Sequence, residues 1–242
     1  MYQTSTISTK SKSDLSTNGF TTIPNIYSTA DIAQIGNAIK KADTSKPNFR
    51  KTAGLFAVRQ FLREIPASVP LIFTDKLKSV VGELFGTDYF VVKSIYFDKP
   101  EESNWAVSWH QDLTISVDKR ADIVGFSHWT AKEGQVAVQP PVSILQNIFT
   151  VRIHLDDTDE NNGALKVVPR SQAGIYRPET IDWETEKETV CKVKAGGVMV
   201  MSPLLLHSSS KTTNNNRRRV IHIEFSNQDL PKGMTWDERI NV

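Results

Sequence analysis

From residue 89 onward the sequence is a succession of short strand-like runs separated by turn residues, with no helical pattern between them. The runs are rich in β-branched and aromatic residues, which favour strands. Parallel strands need long crossover connections, usually helices, so this pattern favours an antiparallel sandwich or barrel. The predicted strands are Tyr89–Phe97, Ala106–Ile115, Ile148–Leu155, Ala164–Val168, Val190–Val193, Val198–Ser202 and Arg218–Phe225.

The first third of the chain has helical patterns instead. Capping oxygens at Ser28 and Asp31, followed by isoleucines at helical spacing, predict a helix over Thr29–Ala42. A second apolar stripe runs from Leu71 to Leu84 and ends at Gly86.

One domain is the expected organisation, because all-β domains reach the length of this chain, 242 residues. We predict a flexible N-terminal lead-in over residues 1–18, which are rich in Ser, Thr and Lys. Residues 19–242 then form a single domain, with a helical first third and a β core at about 89–226.

Charge and cysteine content exclude several classes of partner. The 29 basic and 27 acidic residues leave a net charge of +2, so no global field favours nucleic acid or an anionic membrane. The single cysteine, Cys191, excludes an intrachain disulfide and a thiolate-rich zinc site. No run approaches the roughly 20 apolar residues of a membrane span. We therefore expect a cytoplasmic protein that binds neither nucleic acid nor membranes.

The segment around residue 110 carries residues of the type that bind iron. His110 and Asp112 are two positions apart in a strand-like run, so alternation points both side chains to one face. His207 ends another apolar run and can complete a set of two histidines and one carboxylate. That set on one face of an octahedron is typical of non-haem Fe(II) oxygenases.

Spacing alone does not single out this pair. His154 and Asp156 have the same spacing, and His222 and Glu224 are a close variant. For each pair the alternative is that both are ordinary strand residues whose hydrogen bonds are satisfied within the fold.

The chain resembles the phytanoyl-CoA dioxygenase family of Fe(II)/2-oxoglutarate oxygenases from about Gly19 to Phe225, most clearly in its second half. One departure is Gln172, where family members commonly have a histidine, so no role of that histidine is transferred. The matching segments, in the family's order, are Phe97–Pro100, Trp109–Leu113, Val151–Asp157, Asn162–Leu165 with Pro169, and Leu206–His207 followed by Arg218.

The resemblance implies a mainly β fold with flanking helices, a double-stranded β-helix (a cupin-like jelly roll) with the metal between its sheets. It assigns the metal and catalytic triad to His110, Asp112 and His207, and leaves His154 outside it. It implies Fe(II), 2-oxoglutarate and O2, hydroxylation of a C–H bond in a small molecule, and release of succinate and CO2. Related halogenases have a small residue at the carboxylate position, so Asp112 favours hydroxylation or another oxidation.

2-Oxoglutarate has a second carboxylate that needs a cationic partner, and a bidentate guanidinium suits it. Arg217, Arg218 and Arg219 are candidates, and on a strand Arg218 points opposite to its two neighbours. Family spacing selects Arg218, eleven residues after His207, and Ser209 matches a position where the family often has a hydroxyl. The alternative for the triplet is a solvated basic edge.

Gln111 and Arg152 are two further candidate cosubstrate contacts. Gln111 lies between the two ligands of its segment, and similar positions in the family approach the cosubstrate. Arg152 lines the barrel if its strand turns it inward. For both, strand hydrogen bonding is the alternative. We expect substrate choice to depend on the helical first third and on Ser116–Pro141, as a lid or as a packed surface loop.

Two other functions stay open at this point. A non-catalytic jelly-roll binding module would use the histidines structurally and would need neither iron nor 2-oxoglutarate. A cupin-type metal oxygenase without 2-oxoglutarate would need iron but would tolerate Arg218→Ala. The triad, Ser209 and Arg218 in one family register favour the 2-oxoglutarate oxygenase.

Overall fold

The computed structural model describes residues 7–52, 55–99, 106–132, 134–214 and 216–242. None of the helices in these ranges is both long and apolar enough to cross a bilayer. The elements of the first third are α1 Thr9–Asn18, β1 Phe20–Ile23, α2 Thr29–Lys40, β2 Phe49–Thr52, β3 Leu55–Arg59, α3 Phe61–Glu64, α4 Val69–Ile72 and α5 Asp75–Phe85. Those that follow are β4 Phe90–Lys99, β5 Val107–His110, β6 Ile115–Val117, β7 Ser127–Lys132, β8 Gln135–Gln139, α6 Val142–Leu145, β9 Ile148–His154, β10 Leu165–Val167, β11 Thr189–Val190, β12 Val198–Met201, β13 His207–Ser209, β14 Arg218–Ser226 and β15 Ile240–Asn241.

Both predicted helical regions are helical in the structure, and the second one is divided into two helices. α2 begins at Thr29, as predicted, behind a capping box of Ser28 and Asp31. The second predicted stripe is two helices, α4 and α5. The Thr74 hydroxyl starts the later one by accepting from the Leu77 N–H at 3.3 Å.

The prediction of a flexible lead-in is wrong for residues 9–18, which form α1. Ser8 caps this helix by accepting from the Ser11 N–H at 3.1 Å. Gly19 ends it in the left-handed region, with φ of 82°. Local capping therefore orders a polar segment that has no apolar periodicity. Residues 1–6 of the predicted lead-in, and Pro100 of the matching segments, lie outside the described residues.

Two antiparallel sheets form the core of the fold. The larger has the order β1-β12-β9-β14-β4-β3-β2, with β15 also paired to β4, and the smaller has the order β11-β10-β13-β5. Pairing of strands distant in sequence, such as β14 with β9 and β4, is the topology of the predicted double-stranded β-helix. The predicted fold class is confirmed.

The two faces of the larger sheet have different surroundings. On β14, Ile221, Ile223 and Phe225 face a hydrophobic core that includes Ile35 of α2 and Leu77 of α5. Each such side chain contributes roughly 1.5–3 kcal/mol when fully buried. Because side chains alternate along a strand, the even-numbered residues of β14 from 218 to 224 point to the other face, toward the smaller sheet.

The segment Ser116–Pro141, apart from residue 133, which is outside the described ranges, forms nearly all of a small antiparallel sheet with the strand order β6-β8-β7. The C-terminal segment is hydrogen-bonded to it: the Asp118 N–H donates to Thr235 O at 3.0 Å, and the Asp237 N–H donates to Ser116 O at 3.1 Å. This sheet is thus a folded wall attached to the C-terminal segment.

Candidate metal centre and cosubstrate pocket

The three residues predicted as metal ligands lie together in a cavity of about 300 Å³, the metal cavity, whose walls come from both sheets. Their ligand atoms all lie within 4.8 Å of one another. Asp112 Oδ1 is 3.7 Å from His110 Nε2, and Asp112 Oδ2 is 3.8 Å from His207 Nε2. The structure therefore brings together two segments that are far apart in sequence.

Backbone pairing produces this convergence. β13 pairs with β5 so that His207 lies directly opposite His110. β5 ends at His110, so strand alternation does not place Asp112, and that part of the sequence argument is wrong. Instead, the Asp112 N–H donates to Pro203 O at 2.9 Å, which holds its segment beside the segment that carries His207.

Both imidazoles are oriented by backbone carbonyls. His110 Nδ1 lies 2.8 Å from Ser108 O, and His207 Nδ1 lies 2.8 Å from Leu205 O. A carbonyl only accepts, so each Nδ1 carries a proton and donates it, which leaves the lone pair on Nε2. The two Nε2 atoms and the Asp112 carboxylate thus provide the donor set of a facial-triad iron site.

The protonation states also suit a divalent metal. Burial lowers the pKa of His207 to about 4, so its imidazole is neutral at physiological pH. Burial opposes ionisation of Asp112, but nearby cationic groups, Lys93 among them, hold its pKa below the ordinary value. Divalent metals bind neutral histidine and ionised carboxylate, so these residues fit Fe(II).

A second group of possible ligand atoms, on Asp112, His222 and Glu224, also lies within 4.8 Å. Its donors are already occupied. His222 Nδ1 is 3.0 Å from Arg152 Nη1, and His222 Nε2 is 3.0 Å from Glu224 Oε1. Lys93 Nζ donates to the same Glu224 oxygen at 2.9 Å. Two adjacent cations oppose metal binding here, so His222 and Glu224 belong to a hydrogen-bonded network on the cavity wall.

The other pair with the His-x-Asp spacing does not converge on a metal site. Asp156 accepts from Arg219 Nη2 at 2.6 Å and Nε at 2.9 Å. His154 Nδ1 is 2.9 Å from Thr158 Oγ1. Neither residue belongs to a candidate metal group among the described residues.

The three consecutive arginines point alternately to the two faces of the sheet, as strand alternation predicts. Arg217 binds Asp98 through Nε at 2.8 Å and through Nη2, and Arg219 binds Asp156. Arg218 points the other way, into the metal cavity, and is only 5% exposed. The flanking arginines therefore have carboxylate partners on the other face of β14, while the middle one faces the predicted iron ligands.

In the described part of the chain, Arg218 has no carboxylate partner. Its Nη1 donates to Gly163 O, and its Nε is buried with no partner there. Burial, with Arg152 nearby, lowers the pKa of Arg218 to about 9. A buried guanidinium without an anion is costly, and a ligand carboxylate would compensate it.

Ser209 and the turn at Gly163 surround Arg218. Ser209 Oγ donates to Gly163 O at 2.8 Å. Gly163 has φ of +80°, and a Cβ there would lie 2.7 Å from Ser210 O and 3.0 Å from Lys99 Nζ, so the turn requires glycine. Burial and the charge of Arg218 lower the pKa of Lys99 to about 8. This end of the cavity is cationic, and the predicted residues Ser209 and Arg218 are neighbours in it.

Arg152 also lines the metal cavity, from β9, opposite His222. Burial lowers the pKa of Arg152 to about 10, against the opposing effect of Asp112. On the same face of β9, Arg152 Nε, Thr150 Oγ1 and His154 Nε2 are buried without partners among the described residues. This face can therefore supply hydrogen bonds to a polar ligand.

Gln111 is not where the sequence analysis expects it, because its side chain does not line the metal cavity. Its Nε2 donates to Gly174 O at 2.8 Å and to Leu204 O, and its Oε1 accepts from the Tyr176 N–H at 2.9 Å. Both amide protons are thus used on backbone carbonyls. Gln111 connects the first ligand segment to the segment before His207 and to a surface loop.

Sequence reasoning missed the contribution of β4 to the cavity. Lys93, Ile95 and Phe97 line it, and Lys99 lies beside the arginine end. These odd-numbered residues share one face of the strand, so alternation could have grouped them. Apolar and charged residues are mixed on that face, which hid the fact that it points inward.

The metal site and fold have counterparts among known proteins. The family model described as phytanoyl-CoA dioxygenase matches residues 15–220, whereas no curated protein sequence matches significantly. The structure of AviO1 from Streptomyces viridochromogenes Tue57 is 17% identical with a TM-score of 0.66, covering 95% of this chain and 99% of that chain.

Two further similar structures are described by an activity or by bound ligands. SnoK, a non-haem α-ketoglutarate-dependent carbocyclase from nogalamycin biosynthesis, is 15% identical with a TM-score of 0.69, covering 92% of this chain and 85% of that chain. HygX from Streptomyces hygroscopicus, with nickel and 2-oxoglutarate bound, is 12% identical with a TM-score of 0.64, covering 91% and 87%.

These identities are low, so the solved structures establish the fold. The family model goes further, because it matches most of the chain and spans the His110, Asp112 and His207 cluster together with Arg218. The chain belongs to the phytanoyl-CoA dioxygenase family, a family of non-haem Fe(II)/2-oxoglutarate-dependent oxygenases.

Proposed function

We propose that this protein is an Fe(II)/2-oxoglutarate-dependent dioxygenase that hydroxylates a C–H bond of a small-molecule substrate. The observation that carries the proposal is Arg218, a buried cation with no carboxylate partner in the described chain, in the same cavity as the His-Asp-His cluster. A keto acid with a second carboxylate matches such a pair of sites, because one end chelates a metal and the other pairs with a guanidinium.

Each residue then has a defined task. His110, Asp112 and His207 hold the metal through the donor atoms described above. Arg218 and Ser209 bind the distal carboxylate of 2-oxoglutarate, which would satisfy the unpartnered Arg218 Nε. Arg152 provides a further cation on the cavity wall, within reach of the bound keto acid.

When bound, iron and 2-oxoglutarate together supply the oxidising chemistry, in which O2 is consumed and succinate and CO2 are released. The contribution of the chain is geometric and electrostatic. The paired strands β5 and β13 fix the two histidines, and the hydrogen bond from the Asp112 N–H to Pro203 O fixes the carboxylate. The charged network on β4, β9 and β14 holds the side chains around them.

Hydroxylation is the specific outcome that we propose, although proteins with this fold use it in several ways. Solved neighbours include a carbocyclase and an epimerase. HygX has also been solved with hygromycin B bound, which supports a small-molecule substrate for this fold. Asp112 completes the ligand set in this chain, and that favours hydroxylation over halogenation.

Anaerobic titration of the metal-free protein with Fe(II), and then with 2-oxoglutarate, tests the proposal through the visible charge-transfer band of an iron-chelated keto acid. We expect the band in the wild type, no band in His110→Ala, and a band only at much higher 2-oxoglutarate concentration in Arg218→Ala. Iron binding without the band would support a cupin-type oxygenase that does not use 2-oxoglutarate. No iron binding at all would support a non-catalytic binding module.

A further inference from the structure

A second cavity, of about 250 Å³, adjoins the metal cavity, and we call it the outer cavity. Both cavities are lined by Lys93 and Ile95 of β4, and the outer one is also lined by Thr114, two residues after Asp112. It lies where one edge of β4 changes partner: β3 pairs with residues 95–98 and β15 pairs with residues 90–91. The two cavities therefore share a wall at β4, and the outer one reaches the segment that carries Asp112.

Most of the residues that line the outer cavity are polar. The small sheet β6-β8-β7 forms one side, and the C-terminal residues 237–238 form another. A saturated acyl chain would bury many of these groups without hydrogen-bond partners, which is unfavourable. The polar residues of the lining are Arg59, Gln60, Lys93, Ser94, Thr114, Ser116, Thr130, Lys132, Gln135, Asp237 and Glu238.

Two carboxyl groups line the outer cavity. Glu238 is 2% exposed, and its two carboxyl oxygens are 2.7 and 2.9 Å from Ser94 Oγ. None of the described cations lies within ion-pair distance of it. Burial raises the pKa of Glu238 to about 7, against the opposing effects of the Ser94 hydrogen bonds and the charge of Arg63. Asp237, next to it, accepts from Gln60 Nε2 at 2.7 Å. A cationic group on a ligand would stabilise the ionised form of Glu238.

The outer cavity is also lined by cations. Lys132 is exposed at the end of β7, and among the described residues no carboxylate pairs with it. Arg59 of β3 lines the cavity too, but it already interacts with another residue. Lys93 is neutralised by Glu224. Lys132 is therefore a lining cation that an anionic group of a ligand can pair with.

We propose that the outer cavity binds the prime substrate, and that this substrate is a small zwitterion of the amino-acid type, with its ammonium group at Glu238 and Asp237 and its carboxylate toward Lys132. The inference rests on the proposed function, because it places the substrate beside the proposed iron site. It distinguishes amino acids from long acyl chains and neutral sugars, which would leave the Glu238 carboxylate and the Lys132 ammonium without charged partners.

The test uses the anaerobic Fe(II)–2-oxoglutarate complex of the full chain, whose charge-transfer band responds when a molecule binds beside the metal. The probes are the standard L-amino acids and their N-acetyl derivatives, with D-glucose and octanoyl-CoA for comparison. We expect a free amino acid to change the band, and its N-acetyl derivative to bind about tenfold to hundredfold more weakly, because a charge-assisted contact is lost.

Glu238→Gln tests the assigned residue. The amide has nearly the same shape, so we expect the free amino acid to bind at least about tenfold more weakly while the N-acetyl derivative changes little. Glu188→Gln is the matched control, because it removes the same charge from an exposed pair with Lys166 and should leave amino-acid affinity unchanged. If Glu238→Gln does not fold, Asp237→Asn provides the same comparison.

The possible results separate this inference from the proposed function. No charge-transfer band before any probe is added would refute the proposed function and the inference with it. A normal band that no amino acid alters, or that glucose or octanoyl-CoA alters instead, would overturn only the substrate class. Unchanged amino-acid affinity in Glu238→Gln, or in Asp237→Asn if that variant takes its place, would overturn the assignment of the ammonium site.

Discussion

Replacing Arg218 with methionine should weaken cosubstrate binding and at the same time stabilise the metal-free protein. The pKa of Arg218 lies at about 9 in the folded protein against an ordinary 12.5, which corresponds to an unfavourable contribution of roughly 5 kcal/mol. Its hydrogen bond to Gly163 offsets roughly 1.5–3 kcal/mol of that. Methionine removes both contributions, and Gly163 O keeps its hydrogen bond from Ser209.

The remaining difference, roughly 2–3.5 kcal/mol, favours the variant and corresponds to a Tm higher by about 4–14 °C for a chain of this size. Scanning calorimetry of metal-free protein measures it. The folded state disfavours the protonated guanidinium of Arg218. The penalty is therefore fully present below about pH 9 and disappears as pH rises toward 12.5, so the gain in Tm should be constant near neutral pH.

2-Oxoglutarate affinity should change in the opposite direction. Loss of one partner of a buried charged pair costs roughly 2–5 kcal/mol, which is about 30-fold or more in Kd. The anaerobic charge-transfer titration measures this Kd directly. We therefore expect Arg218→Met to be more stable without ligands than the wild type, and to need far more 2-oxoglutarate for saturation.

Arg217→Met is the control, because it removes the adjacent arginine from the opposite face. Its partner Asp98 is 3% exposed and would keep only the Tyr96 hydroxyl, at 3.1 Å. We expect a lower Tm and an unchanged Kd for 2-oxoglutarate. If Arg218→Met also lowers the Tm, the argument about an uncompensated buried charge is wrong. If it leaves the Kd unchanged, Arg218 does not bind the cosubstrate.

Four further predictions concern the metal ligands, the cosubstrate and the buried thiol. Asp112→Ala should lose Fe(II) binding in equilibrium dialysis, since only neutral imidazoles remain, and wild-type affinity would contradict the triad. Gln111→Leu should raise the Kd for Fe(II) by about 10- to 100-fold, because its link to Leu204 is lost; an unchanged Kd would limit Gln111 to holding the surface loop. 2-Oxoglutarate affinity should fall about tenfold per unit above about pH 9, where Arg218 deprotonates, and a flat profile would count against its role. Burial raises the pKa of Cys191 to about 12, so its thiol should resist iodoacetamide until the protein is denatured, as mass spectrometry can show.

Strand alternation predicted the site well where strands are regular. β14 pairs with β4 without a register shift over residues 218–224, so the sequence alone divides the inward Arg218 from Arg219, and Arg217, just before the strand, follows the same alternation. The same rule fails at Asp112, because β5 ends two residues earlier and a hydrogen bond to Pro203 takes over. Such long-range bonds leave no periodic signal. For the same reason the role of Gln111 was not predictable.

Other parts of the fold gave a weaker signal. The strand β7 is mostly exposed, so it has no alternating burial pattern, and the sequence predicts only a lid or loop there. α1 is stabilised by its caps rather than by an apolar stripe, so its composition predicts flexibility. The family resemblance supplied the fold class and the choice of His110 and Asp112 over the other two His-x-acid pairs, which spacing could not separate.

The family model ends at residue 220, whereas Asp237 and Glu238 lie beyond it. The oxidising centre thus lies in the part of the chain that the family model matches, whereas the residues proposed to recognise the substrate lie outside it. Two proteins with the same triad could act on unrelated molecules if their C-terminal segments differ. Because this end is hydrogen-bonded to the β6-β8-β7 sheet at residues 116 and 118, a chimaera designed to transfer specificity should exchange that sheet and the C-terminal segment together.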